Sequence, residues 1–164
     1  MRSKNIKIIP LGGLGEIGMN CLVLESDTDM VLVDCGLQFP DASWTGVELL
    51  MPDLKYVYEN IQKLKGVVVT HGHDDHIGAI PYLAKHGELD VYATHFPQGL
   101  LRQKIAEVPD AHKITFHTIE PGKAFNVGVF KFEGISVKHS IIEAMGFAIE
   151  TPVGTIVHSG DFKH

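Results

Sequence analysis

The sequence predicts an α/β fold of the α+β mixed-sheet kind, with helices on one face of the sheet. Two observations lead there. Short apolar runs dominate the start of the chain, then alternate with helix-length amphipathic stretches, then recur without helices toward the end. The second and third runs are also joined too tightly for a crossover helix, so the sheet must contain an antiparallel hairpin beside its alternating β–α units.

The first strand is expected at 6–9, and the glycine-rich stretch Gly13-x-Gly15-x-x-Gly18 follows it. That spacing is the dinucleotide-binding fingerprint, and Asp34 even follows at roughly the expected 20 residues. Pyrophosphate binding, however, needs a helix opening at the third glycine, whose amides face the phosphates. "NCLVLES" is instead strand-like, Asp27-Thr28 marks a turn, and "DMVLVDCG" resumes as another strand. The glycines therefore let a loop pass close to something at the sheet edge. Strands are expected at 20–25, 30–34, 66–70, 90–93, 113–118, 129–139, 146–150 and 155–159. Leu54, Val57, Tyr58, Ile61 and Leu64 have the 3–4 spacing of a half-buried helix over 53–64. Two further helices are expected at 76–87, interrupted at Pro81, and at 96–108.

Composition bounds the function. The chain is 45% hydrophobic and 21% charged, as in a soluble globular domain, with no segment long enough to span a membrane. Its formal charge of −6 argues against a broad basic face for nucleic acid, although bound divalent cations would reverse the sign locally. Cys21 and Cys35 are the only cysteines, no disulfide framework, which suits the cytoplasm. Ten histidines in 164 residues raise the prior for metal chemistry.

"VVVTHGHDDHIGAIPYL" decides the reading. A buried strand runs into His71-Gly72-His73-Asp74-Asp75-His76, and an apolar helix follows. His71 and His73 are two apart, so on extended backbone both imidazoles point the same way. Asp75 and His76 reach the same spot from the turn into the helix. Buried imidazoles and carboxylates need partners, and a stable core would use apolar residues here. One turn cannot supply a whole divalent site, so further ligands must come from elsewhere. Asp34, His139 and Asp161 each stand where a predicted strand ends, a ligand or a hydrogen-bonding partner of one.

In order, Asp34, His71-x-His73-x-Asp75-His76, His139 and Asp161 match the first four motifs of the metallo-β-lactamase superfamily. "PLGGLGEIGMN", "VDCGLQFPD", "GVELLMPDLKYV", "THGHDDHIGAIPYL" and "ETPVGTIVHSGDFK" narrow this: nearly the whole chain resembles the N-terminal part of the ribonuclease J family, in the β-CASP branch. The resemblance implies a metallo-β-lactamase αββα sandwich, of which residues 1–164 are the N-terminal half, the β-CASP and C-terminal domains being absent. It implies one metal on His71, His73 and His139, a second on Asp75 and His76, and Asp161 bridging them. Asp34, Asp75 and Asp161 are then the catalytic carboxylates, with Asp34 acting from behind a ligand. Zn2+ suits the three imidazoles, and Mn2+ is a credible substitute at the carboxylate-rich site. Metals about 3.5–4 Å apart would ionise a water and clamp an RNA phosphodiester. The implied activity is 5′→3′ exonucleolytic and endonucleolytic cleavage of RNA.

The sequence also departs from the family. A further histidine that completes the second metal site there has no counterpart; His164 follows Asp161 too closely to replace it. The second site is thus expected to be incomplete, and the isolated chain weak or inactive. Ile142 stands where proline is usual, and Asp74 where glutamate is common, the latter a solvent-facing carboxylate at a helix start. A half sandwich is expected to expose an apolar sheet face, covered by oligomerisation or by missing C-terminal segments. Two other functions fit the histidine motif: hydrolysis of a small ester, thioester or lactone, and a non-catalytic zinc-binding domain.

Overall fold

The computed structural model describes residues 5–41 and 43–163; His164 lies outside them, as does the extreme N-terminus. Strands β1 (Lys7–Gly12), β2 (Cys21–Glu25) and β3 (Met30–Val33) form an antiparallel meander. Next come helix α1 (Lys55–Glu59), β4 (Leu64–Val68), α2 (Asp74–Ile77), α3 (Ile80–Leu83), β5 (Leu89–Ala93), α4 (His95–Glu107) and β6 (Ile114–Thr118). β3 through β6 pair in parallel, which completes a six-stranded mixed sheet in simple sequential order. A second, antiparallel sheet follows in the order β10-β9-β8-β7, from β7 (Ala124–Val127), β8 (Phe130–Ser136), β9 (Met145–Thr151) and β10 (Gly154–His158).

The pleat of β3 explains the layering. Met30 and Leu32 point to one face of the first sheet and pack with Val57, Ile77, Ile80, Leu83 and Leu101 of the helices. Val31 and Val33 point to the other and pack with Phe130, Phe132, Met145, Phe147 and Ile149 of the second sheet. Both faces being covered, β3 is a continuous apolar run, as a central strand should be. The layers are therefore helix, sheet, sheet. The expectation of helices on one face holds, and the second sheet covers the other.

The sequence reading needs correction in three places. The expected helix 53–64 closes after Glu59, passes through a 3₁₀ turn at Ile61–Lys63 and gives Leu64 to β4, because the parallel ladder with Met30 claims that residue. The expected strand 129–139 ends at Ser136, so His139 stands on a loop and not on a strand end. β7, absent from the reading, is a short edge strand that pairs only with β8, and four residues carry little periodic signal. The outer face of the second sheet exposes Ile135 and Val157 beside the Lys131–Glu150 pair that crosses β8 and β9. Among the described residues no helix is long and apolar enough to cross a membrane.

Candidate metal centre

The site assembles where both sheets end on the same side. Residues 34–37, leaving β3, are zipped onto the turn after β4. Asp34 N–H donates to the Val68 carbonyl (2.9 Å), Cys35 N–H to that of His76 (2.8 Å) and Leu37 N–H to that of Asp74 (2.9 Å). Gly36 lies so close to the Asp75 carbonyl that a Cβ there would collide with it. The second sheet is tied in by Met145 N–H, which donates to the Thr70 carbonyl (2.9 Å).

Four rings and three carboxylates converge. His73 Nδ1 lies 3.0 Å from His71 Nε2 and 3.2 Å from His139 Nε2. His71, His73 and His139 form one candidate ligand group, and His71, His76 and Asp161 another, each with its donor atoms within 4.8 Å of one another. Asp161 Oδ2 lies 3.4 Å from His76 Nε2 and 3.8 Å from His139 Nε2, between the two groups. Asp75 Oδ2 is 3.6 Å from His76 Nε2. A cleft of about 280 Å³ opens beside them, lined by the glycine loop, Asp34, His76, His158 and Asp161.

Protonation divides the rings. Burial, reinforced by the neighbouring His76, holds His71 down to about 4, so its lone pair is free. Burial likewise lowers His139. Burial would lower His76 too, but the charge and hydrogen bond of Asp34, with Asp75 and Asp161 behind, raise it to about 9. The cause is a buried pair: His76 Nδ1 is 2.8 Å from Asp34 Oδ2. The donor set fits divalent cations. The 3.0 and 3.2 Å spacings approach the roughly 3.3 Å edge of a tetrahedron with bonds of about 2.0–2.1 Å to imidazole nitrogen. The second group, mixed imidazole and carboxylate, suits a harder ion.

With this geometry in view, the comparisons are decisive: residues 29–164 match the beta-lactamase superfamily domain. The chain belongs to that superfamily. It is similar to ribonuclease J of Helicobacter pylori (strain ATCC 700392 / 26695), 41% identical over 97% of this chain and 23% of the relative. Ribonuclease J of Synechocystis sp. is 42% identical over 99% of this chain and 26% of its own length. The chain thus spans about a quarter of the length of these curated relatives. Among solved structures, the metallo-beta-lactamase fold protein YhfI from Bacillus subtilis superposes with a TM-score of 0.71 at 18% identity, over 97% of this chain and 63% of YhfI. Zn(2+)-bound PqqB from Methylobacterium extorquens gives 0.60 at 16% identity, over 85% and 48%. YhfI, with the superfamily match, carries the metallo-β-lactamase fold assignment.

Every site residue expected from the superfamily motifs lies at this centre, with differences of position. Asp34 is 1% exposed and faces Thr70 and His76, behind the ligand groups. Asp74 points away from the cluster to Lys104 of α4, 2.5 Å distant. Among the described residues, His139 Nδ1 is buried without a hydrogen-bond partner. The loop that carries it is braced by Glu143, whose carboxylate accepts from Phe96 N–H in the first turn of α4 (2.8 Å).

Sequence reasoning missed Thr70 and Asn20. Thr70 Oγ1 donates to Asp34 Oδ2 (2.8 Å) and lies 2.9 Å from His71 Nδ1, linking both ligand groups. Its place directly before the histidine motif was the one available hint. Asn20 carried no hint beyond closing the glycine loop.

Proposed function

We propose that this chain carries the catalytic metal centre of a metal-dependent ribonuclease of the ribonuclease J type, cutting RNA from the 5′ end and internally, in the cytoplasm. The observation that supports it is the convergence of three imidazoles on one side of Asp161 and of His76 on the other. Similarity to ribonuclease J relatives over nearly the whole chain supports RNA as the substrate class.

His71, His73 and His139 would hold one cation; Asp75 and His76 would hold the other, with Asp161 reaching both. When bound, two divalent cations, Zn2+ with Mn2+ as substitute, would supply Lewis acidity toward a phosphodiester and ionise a water near neutral pH. Asp34 fixes His76 through Nδ1, which leaves Nε2 for the cluster. Thr70 locks Asp34 with two hydrogen bonds, from its N–H (2.8 Å) and its hydroxyl (2.8 Å). Asp161, 46% exposed, and Asp75, 31% exposed, are the carboxylates facing the entering strand. Two buried free thiols, Cys21 and Cys35, accord with a reducing compartment.

The test pairs metal content with turnover. His73→Ala should remove one zinc equivalent, and unchanged stoichiometry overturns the ligand assignment. Supplied with zinc or manganese, the weak turnover expected of the chain should favour a 5′-monophosphorylated RNA over a thioester. The reverse preference would make it a small-ester hydrolase.

A further inference from the structure

No helix opens at Gly18, since β2 follows at Cys21, yet the close approaches of the glycine loop are specific. Gly13 has φ +85°, and a Cβ there would collide with Asn20 Oδ1. A Cβ on Gly18, at φ +105°, would meet Gln38 at 2.9 Å. Met19 takes a left-handed φ of +51°, and its N–H donates to the Leu37 carbonyl (3.1 Å). The loop is folded back on itself, and what it presents at its end is Asn20.

Asn20 is pinned from both sides. Its backbone N–H donates to the Asp75 carbonyl (2.9 Å), and its own carbonyl accepts from Gly36 N–H (3.0 Å). Its side-chain amide, Nδ2, donates to the Asp75 carbonyl (3.1 Å) and to Asp75 Oδ2 (3.2 Å), and lies 3.1 Å from His76 Nε2. Asn20 gives the Asp75 carboxylate a hydrogen bond at 3.2 Å, closer than the 3.6 Å to His76 Nε2, while His76 already has Asp34 on its far nitrogen.

We propose that Asn20 is the positioning residue of the second cation's ligands, and that the glycine loop serves to deliver it. The inference rests on the two-cation reading above. A half-buried carboxylate at the start of a four-residue helix has several rotamers; one amide bonded to both its carbonyl and its carboxyl selects one of them. The same amide lies beside the nitrogen that His76 offers to the cluster, so one side chain sets the spacing of both ligands. Lost outer partners of this kind typically weaken metal binding about 10- to 100-fold.

The experiment is a stepwise metal titration of the full chain, zinc first and manganese second, read by competition with a chromophoric chelator. Circular dichroism checks that each variant is folded. Asn20→Ala should weaken the second equivalent about 10- to 100-fold and leave the first within about threefold. A merely structural role would weaken both alike. Gly13→Ala, whose Cβ would meet Asn20 first and whose φ of +85° strains the loop that carries Asn20, should reproduce the loss. Combining the two should add nothing further, since they act through one contact. If wild type takes up two equivalents and Asn20→Ala leaves the second unchanged, or if the two variants add independently, the inference fails alone. If wild type takes up no second equivalent, the two-cation reading fails and takes the inference with it.

Discussion

Asp34 Oδ2 lies 2.8 Å from His76 Nδ1, and both side chains are almost wholly withdrawn from solvent, at 2% and 3% exposed. A buried carboxylate holding a buried imidazole fixes which ring nitrogen remains for the ligand cluster. It also anchors Asp34 itself, which sits at φ +61° where a non-glycine residue is strained. The pair joins the end of β3 to the turn after β4, the two segments that carry most of the centre.

Asp34→Asn should keep the shape and lose the charge. Metal affinity should fall about 10- to 100-fold, with the His76 site affected more than the three-histidine site. Isothermal titration of the metal-free chain with zinc checks it. Equal affinity at both sites would mean that Asp34 serves folding and not the ligand.

Gly36→Ala should be among the most damaging small substitutions. A Cβ there would collide with the Asp75 carbonyl and meet His76 N at 2.6 Å, and neither backbone atom can yield without breaking the zipper of residues 34–37. Overpacking of this kind costs about 1–3 kcal/mol or more, and here also separates Asp34 from His76. Urea unfolding and zinc uptake should fall together.

Glu25 sets an acid limit away from the centre. Its side chain is 1% exposed, bonded to Lys63 Nζ (2.7 Å) and to the Tyr56 hydroxyl, with Lys7 at 3.5 Å. Burial would raise its pKa, but Lys63 and Tyr56, with Lys7, outweigh burial and hold it below the ordinary glutamate range. A carboxylate whose folded pKa is depressed contributes stability above its unfolded pKa and loses it as pH falls through the folded one. Glu25→Gln should therefore cost about 1–3 kcal/mol at pH 7, and progressively less below roughly pH 4.5. Urea midpoints across that range check the convergence.

Phe147→Ala tests the second layer. Phe147 is fully buried and packs edge-on against Phe132, their ring centroids 5.8 Å apart, between the two sheets. The loss should be about 3–5 kcal/mol. Since β9 begins at Met145, whose N–H holds Thr70, zinc affinity should fall as well. Comparison with a helix-side variant such as Leu101→Ala separates the two layers.

The chain by itself determined which residues bring chemistry and in what order. Six residues from His71 to His76 carry five ligand-type side chains, four of them at the centre, and a strand followed at once by a helix start leaves them on a short turn whose geometry is local. Strand and helix type followed for the same reason: periods of two and 3.6 are written within a few neighbours. The absence of a helix after Gly18 likewise told from sequence that the glycine spacing was no nucleotide fingerprint. Tertiary structure alone decided the rest. Val31 and Val33 read the same whether they face helices or a second sheet; Phe130, Phe132 and Phe147, about 100 residues away in sequence, settle it. Leu64 left its helix because a ladder partner across space outbid a local turn. Asn20 and Thr70 gained their places through contacts at separations of 55 and 36 residues, to Asp75 and Asp34 respectively. No spacing rule encodes such contacts: they exist only once the sheets have closed and the polar groups of distant loops must satisfy one another out of water.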